Sequence, residues 1–536
     1  MSAAPYDYII VGGGSAGCVL ANRLSLDRSA RVLLLEAGGR DAHPYIKVPL
    51  GVGQLHKHRM FDWGYESDPE PGLGGRQLEA MRGKVVGGSS SVNMMAHTRG
   101  NALDFDRWAR NGAHGWSHAE VLPYFKRSET WEGVPSGFRG DSGPVGVRWS
   151  SFEDPLNDAW IEAGRACGFG VVGDYNAASQ EGFGRAQFAI RKGRRSSSGA
   201  AYLRPVLHRK NLKVATRAQA TRIVFEGRRA VGVEYVRRGR VEQARAKQEV
   251  ILCAGTFDTP KLLMLSGIGP AAHLREMGIH VLADLSVGMN LQDHVAVQLY
   301  WSRQGNGPFR DTLRADRIGL AMARALLFGA GPATALPNAL HAFVRTDAAC
   351  EVPDIEFMFR CAPANAAPWF APFRKPYSDG YGIRPTLLHP RSRGRVMLRS
   401  ADPREPVRLQ FKVFADDEDL RRLREGFKRG REIGESAAMS AFRGAELMPG
   451  KAVRDDDQID AWMRRTAVTA HHPAGTCAMG GGPEAVVGPD LHVRGVDGLR
   501  VADASVMPDM VSAHINAAVL MIGEKAADMI LSNARC

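Results

Sequence analysis

The stretch from Tyr6 to Ala37, YDYIIVGGGSAGCVLANRLSLDRSARVLLLEA, limits the fold more than any other part of the chain. Tyr8 to Val11 is an apolar run that reads as a buried strand. Gly12, Gly14 and Gly17 follow at G-x-G-x-x-G spacing. A helical pattern then runs from Ser15 to Leu26, and Arg31 to Leu35 reads as a second strand ending at Glu36. Gly12 permits a tight turn, Gly14 lets the backbone approach a pyrophosphate, and Gly17 lets helix and strand pack closely. Ser15 and Ala16 open the helix, whose free N–H groups would face phosphates. Glu36, followed by Ala37, comes about 20 residues after the glycines, where a carboxylate accepts hydrogen bonds from an adenosine ribose. The stretch predicts a bound dinucleotide and leaves FAD and NAD both open.

A chain of 536 residues is too long for one hydrophobic core, so two or more domains are expected. No run of about 18 apolar residues exists, which predicts no membrane-spanning helix. The N-terminus leads almost directly into the first strand without a signal-peptide pattern, so the expected location is cytoplasmic. A net charge of +13 raises the question of nucleic acid. The basic residues are scattered, however. The two densest clusters are Arg191–Arg195 (RKGRR) and a helical stretch from Arg421 to Arg431, whose basic residues alternate with Glu425 and follow Asp416–Asp419. That is the pattern of a solvated helix face, and no nucleic-acid-binding module is recognisable. The charge allows weak peripheral attraction to the anionic inner face of a membrane. The seven cysteines include no C-x-x-C pair, so neither a disulfide framework nor a metal site is expected. Cys18 and Cys253 read as packed thiols.

From Arg82 to Gly100 the chain reads RGKVVGGSSSVNMMAHTRG, a non-periodic loop offering backbone donors and small side chains to something flat. Two histidines stand out from the sixteen. His472 precedes a proline and a small-residue turn, and His514 lies just before a helical pattern from Ile515 to Leu531. His56, His58, His114 and His118 lie in polar loops and read as structural. Phe357, Phe359, Trp369, Phe370, Phe373, Tyr377 and Tyr381 crowd an irregular, proline-rich segment. They form either a hydrophobic cluster under a long loop or the wall of a substrate channel. Leu212–Thr216, Ala220–Glu226, Ala230–Val236 and Glu249–Cys253 read as strands, and Thr259 as the start of a helix with Pro260 at its first position.

Several of these stretches together resemble the glucose–methanol–choline (GMC) oxidoreductase family. The Arg82–Gly100 loop resembles its first signature and Gly255–Gly269 (GTFDTPKLLMLSGIG) its second. Val287–His294 (VGMNLQDH), His472–Gly480 (HPAGTCAMG) and Gly498–Ser505 (GLRVADAS) resemble further motifs. The resemblance implies an α/β (α+β overall) architecture. A Rossmann-like FAD-binding domain would span residues 1–305, with insertions near 40–80 and 138–200. A substrate domain on an antiparallel sheet flanked by helices would span 306–485, with Arg395–Arg399 and Val407–Phe414 among its strands. Residues 486–536 would return to the FAD domain.

The same resemblance implies FAD as cofactor, with Gly83, Val86, Gly88, Ser89, Asn93, Met94, Met95 and Ala96 around its ribityl chain and isoalloxazine. Ala220 would touch adenine, and Asp503 and Ala504 the diphosphate and ribityl region. Asn516 and Ala517 would open a helix aimed at the flavin N1/C2 edge. Some relatives attach FAD through a histidine aligned with Val92, which valine cannot do, so the FAD is expected to be non-covalent. His97 stands where the family usually has an aromatic residue. The implied reaction oxidises a primary alcohol, aliphatic or aromatic, to the aldehyde. His472 would take the hydroxyl proton, His514 would hydrogen-bond the oxygen, and hydride would pass to flavin N5. Met95, Trp369 and His471 would contact substrate. Electrons would go to O2, a quinone or another acceptor. The alternative within the family is a hydroxynitrile lyase without net redox chemistry.

Overall fold

The computed structural model describes residues 4–363 and 365–533; Cys536 lies outside them. Tyr6–Val11 forms the middle of a seven-stranded sheet. It pairs in parallel with Val32–Glu36 on one side and with Arg240–Leu252 on the other, and Leu212–Thr216 extends the sheet beyond Val32–Glu36. Ile9, Ile10 and Leu33–Leu35 are buried, as parallel strands covered on both faces must be. Arg240–Leu252 serves two neighbours. Its first half pairs antiparallel with Arg229–Arg237, and its second half carries Tyr6–Val11. Leu499–Val501 comes back from far along the chain to pair with the same strand. The last helix, Asn516–Asn533, then packs on the first, Ser15–Leu24, with Arg23 Nη2 2.7 Å from Glu524 Oε1.

The helix expected to start at Thr259 runs instead over Gly255–Leu265, with Pro260 inside it. Proline has no N–H for the carbonyl four residues back. That carbonyl, on Thr256, accepts from Thr476 Oγ1 at 2.7 Å, so a residue of the HPAGTCAMG motif completes the helix.

A second, eight-stranded sheet is antiparallel in all its pairings. It takes Gly182–Arg185 and Leu299–Arg303 from before the expected boundary at 306, so the sheet is assembled from separate stretches of chain. Arg395–Met397 and Arg408–Gln410 are strands, but they pair only with each other in a separate two-stranded sheet. The helix Asp417–Glu435 lays Leu420, Leu423, Phe427 and Ile433 on the second sheet and turns most of its charges outward, with Arg421–Glu418 and Arg429–Glu432 ion pairs, while the buried Asp419 accepts the Arg391 and Ser392 N–H groups. Phe357, Phe359 and Tyr381 are fully buried in that sheet–helix core. Trp369 packs with Phe309 and Leu313, and Phe370 stacks on the exposed Phe373. The aromatic segment is therefore core and surface, not a channel wall.

Cys18, Cys167, Cys253, Cys350, Cys361 and Cys477 are free thiols. Among the described residues no helix is long and apolar enough to cross a membrane. The RKGRR cluster is a tight hairpin, and its last member, Arg195, is buried. Arg195 donates to the carbonyls of Ile46 and Asn93, so it fastens the Arg82–Gly100 loop.

Candidate active site

The glycine motif folds as a cradle. Gly12 has φ +103°, which a side chain would disfavour. A Cβ on Gly17 would lie 1.9 Å from the Gly12 carbonyl oxygen, so only glycine lets the helix start this close to its strand. A Cβ on Gly88 would lie 2.8 Å from Gly14 Cα, which shows the second glycine loop seated on the first. Gly14 caps the Ser15–Leu24 helix without any side-chain hydrogen bond. The first-turn N–H groups thus remain for a ligand, and an anionic diphosphate is the chemistry they suit. Glu36 accepts from the N–H groups of Gly13 (2.8 Å) and Gly38 (2.7 Å). Burial pushes its carboxyl up to about 7 against those two bonds. Further hydroxyl donors, such as those of a ribose, would favour its ionised form.

A cavity of about 530 Å³ runs from this cradle to the second sheet. Gly12, Gly14, Ser15, Ala16, Glu36, Ala37 and Ala220 line one end. Gly83, Gly88, Ser89, Asn93, Met94, Met95, Ala96, Asp503, Ala504 and Asn516 line the middle, and His471, His472 and His514 the far end. Gly17, Val86 and Ala517 are not on its wall; they support it from the packed layer behind. Trp369 is not there either, because its indole N–H is taken by the Arg310 carbonyl (2.9 Å) in another cluster. The elongated, donor-rich cavity, with glycine at each close approach, fits FAD. His97 turns away from it to Glu129, with Nε2 3.1 Å from Oε2. His56, read as structural, lines the cavity and contacts the Val92 carbonyl at 3.0 Å.

The two singled-out histidines meet at the far end, with ring centroids 4.7 Å apart at 71°. His472 reaches this place through a strained turn. His471 has φ +62°, and its N–H is held by Thr469 Oγ1 at 2.8 Å. The next N–H, of His472, is held by Asp293 Oδ1 at 2.8 Å, while Thr469 also donates to the other Asp293 oxygen. Burial pushes the Asp293 carboxyl up to about 6. His472 Nδ1 lies 3.0 Å from His294 Nδ1. Burial, then the charges of His514 and His294, hold the His472 imidazole well below the ordinary histidine range. His294 is lowered to about 3, chiefly by burial, so both rings are neutral at neutral pH.

His514 is fixed by its own N–H donating to Thr98 Oγ1 (2.7 Å) and by Nε2 at 3.0 Å from Glu356 Oε1. His341 Nδ1 lies 2.9 Å from that same oxygen. Burial opposes ionisation of Glu356, but His514, hydrogen-bonded to it, and His341 beside it outweigh burial and keep the carboxyl well below its usual range. His341, Glu356 and His514 are close enough to gather a cation. His514 hydrogen-bonds Glu356 Oε1, while His341 Nδ1 lies close to that oxygen without hydrogen-bond geometry. Asp293, His294, His341 and Glu356 did not emerge from the sequence as site residues, although Asp293 and His294 close the VGMNLQDH motif.

Known proteins are similar to this chain in sequence and in fold. Two models described as GMC oxidoreductase match residues 6–296 and 390–523. The oxygen-dependent choline dehydrogenase of Sinorhizobium medicae (strain WSM419) is 44% identical over 530 residues, covering 98% of this chain and 95% of its own. That of Brucella canis is 43% identical over 532 residues with the same coverage. Among solved structures, pyridoxine 4-oxidase from Mesorbium loti has a TM-score of 0.88 at 32% identity, covering 98% of this chain and 99% of its own. A formate oxidase from Aspergillus oryzae RIB40, studied for FAD modification, has a TM-score of 0.91 at 28% identity, covering 100% and 99%.

Proposed function

This chain belongs to the GMC oxidoreductase family and is an FAD-dependent alcohol oxidoreductase, and we propose that it oxidises a primary alcohol to the aldehyde with His472 as base and His514 as hydrogen-bond partner. The observation that carries this reading is the His472 ring facing His514, with ring centroids 4.7 Å apart, and tied through Nδ1 to His294. With the proton on His472 Nδ1, donated to His294 Nδ1, the Nε2 lone pair is left for the substrate hydroxyl. In the form that carries a proton on both ring nitrogens, His514 donates its Nε2–H to the ionised Glu356 and its Nδ1–H to the substrate oxygen as alkoxide character grows. When bound, FAD supplies the hydride acceptor. Gly14, Ser15, Glu36 and Ala220 would hold its adenosine end, and Gly88, Asn93, Met95, Ala96, Asp503 and Asn516 the rest.

Val92 is buried among Ile46, Leu55, Met81 and Val85 and offers no nucleophile. Heat or acid is expected to release all the flavin into the supernatant, and yellow colour retained by the precipitate would refute non-covalent binding.

Alcohol should bleach the flavin under anaerobic conditions. A hydroxynitrile lyase would leave it yellow, and that result would overturn the oxidation. The base is competent only when unprotonated, and its pKa is lowered. The reduction rate constant at saturating alcohol should therefore stay level from about pH 8 down to about pH 6, where an unperturbed histidine near 6.5 would lose more than half its base form. A midpoint at or above 6.5 in that profile would refute a lowered His472. Peroxide yield compared with dye reduction then separates O2 from a quinone or other acceptor.

A further inference from the structure

The second sheet shows the substrate an unusual wall. In the antiparallel pair Ile355–Arg360 and Gly380–Leu387, Met358 lies opposite Arg384 and Arg360 opposite Gly382. Side chains alternate along the strand. Phe357 and Phe359 enter the core, while Met358 and Arg360 reach the cavity, as does Arg384. Arg360 and Arg384 are thus diagonal neighbours on one face, with backbones roughly 7–8 Å apart.

Neither guanidinium is neutralised. Arg360 forms no ion pair and no hydrogen bond among the described residues. Arg384 gives one N–H to the Thr469 carbonyl (3.2 Å), and its buried Nε has no partner. Glu356 attracts Arg384 but makes no ion pair with it, because its carboxylate is engaged by His514 and His341. Guanidinium groups left unpaired at a wall from which substrate displaces water are costly, and a planar anion is the ligand that satisfies them best.

The strand also acts as a ruler. Glu356, Met358 and Arg360 share a face, and Glu356 marks the oxidation point because it holds His514. Met358 lies about 7 Å further along and Arg360 about 13 Å at strand rise. With the hydroxyl at the histidines, an apolar body would cover Met358, and its far end would meet both guanidinium groups.

We propose that the preferred substrates are alcohols carrying a carboxylate or similar planar anion at the end remote from the hydroxyl, held by Arg360 and Arg384. This rests on alcohol oxidation at His472 and His514, and it sets the chain apart from relatives named for choline, whose ammonium the two arginines would repel.

The test is anaerobic stopped-flow reduction of the FAD-loaded full chain by three matched alcohols. These are 4-(hydroxymethyl)benzoate, 4-methylbenzyl alcohol and 4-(trimethylammonio)benzyl alcohol. The apparent Kd for reduction should be at least about tenfold lower for the carboxylate than for the methyl compound, and highest for the cation. In Arg360→Gln the ratio of carboxylate to methyl Kd should lose most of that preference, and Arg360→Lys should restore part of it. Each ratio is measured within one protein, so partial misfolding does not mimic the result. A carboxylate that binds no better than the methyl compound, or a ratio unmoved in Arg360→Gln, overturns the inference while leaving the alcohol oxidation intact. If no alcohol reduces the flavin, the oxidation itself falls and this inference falls with it.

Discussion

His472→Ala should slow flavin reduction by alcohol roughly 10²–10⁴-fold at saturating substrate. An alcohol releases its carbon-bound hydrogen as hydride only as its hydroxyl proton leaves. Without a base the proton must go to water, a much weaker acceptor than an imidazole. The variant removes the ring that His294 and the Asp293-held turn hold in place. It does not touch the glycine cradle at the other end of the cavity, so FAD content should stay near that of the parent and is measured alongside. The turn itself is fixed through backbone N–H groups, which alanine keeps. His472→Gln is the control for packing, because it fills the space with a side chain of negligible basicity. It should be slow as well. If either variant reduces flavin within tenfold of the parent while fully loaded, the base is another group. His56, which lines the cavity beside the Val92 carbonyl, would then be the next to replace.

What could be read from the chain was what depends on neighbours in sequence. Gly12, Gly14, Gly17 and Glu36 fall within one turn and two strands, and the close approaches there leave glycine no alternative. His472 and His514 sit in loops more than forty residues apart, and nothing in the spacing brings them to 4.7 Å between ring centroids. Their importance came from resemblance, and their meeting from the fold. Glu356 and Arg360 were hidden for a simpler reason. The strand Ile355–Arg360 alternates, and attention to its aromatics selected the face that packs on the helix Asp417–Glu435. The polar face of the same strand holds the chemistry, because a shift of one residue exchanges the two faces. Arg195 drew notice only as part of the basic cluster RKGRR, yet a hairpin of alternating side chains sends one of its arginines inward. Composition cannot say which.

Glu129→Ala should lower the thermal unfolding midpoint by roughly 3–5 °C, from a loss of about 3–5 kcal/mol. Glu129 is fully buried and accepts from Arg99 Nη2 (2.6 Å), Arg139 Nε (2.8 Å), His97 Nε2 (3.1 Å) and the Gly140 N–H (3.1 Å). Arg99 and Arg139 are themselves buried. Removing the carboxylate leaves their charges without this partner, and Asp174 compensates only Arg139. Burial opposes ionisation of Glu129, but the charge of Arg99, the hydrogen bond from His97 and the charge of Arg139 outweigh it and hold the carboxyl far below the usual range. Because the folded value is depressed, this stabilisation is fully present above the unfolded carboxyl value near 4.5 and is lost as pH falls through the folded value. The deficit of the variant should therefore be constant between about pH 6 and 8 and shrink only in strong acid. The consequence reaches the cofactor because the network spans two parts of the chain. His97 donates its backbone N–H to the Gln187 carbonyl, Asn176 donates to the His97 carbonyl, and Ala189 donates its N–H to the Met95 carbonyl. Met95 and Ala96 line the cavity just before His97. This chain uses a buried ion network to seat the loop. Flavin fluorescence should accordingly rise at a lower temperature in the variant, together with the loss of structure. Glu129→Gln keeps the shape without the charge and should fall nearly as far. A fall of less than about 2 °C in both variants would mean that the network is dispensable and that local packing alone positions the loop.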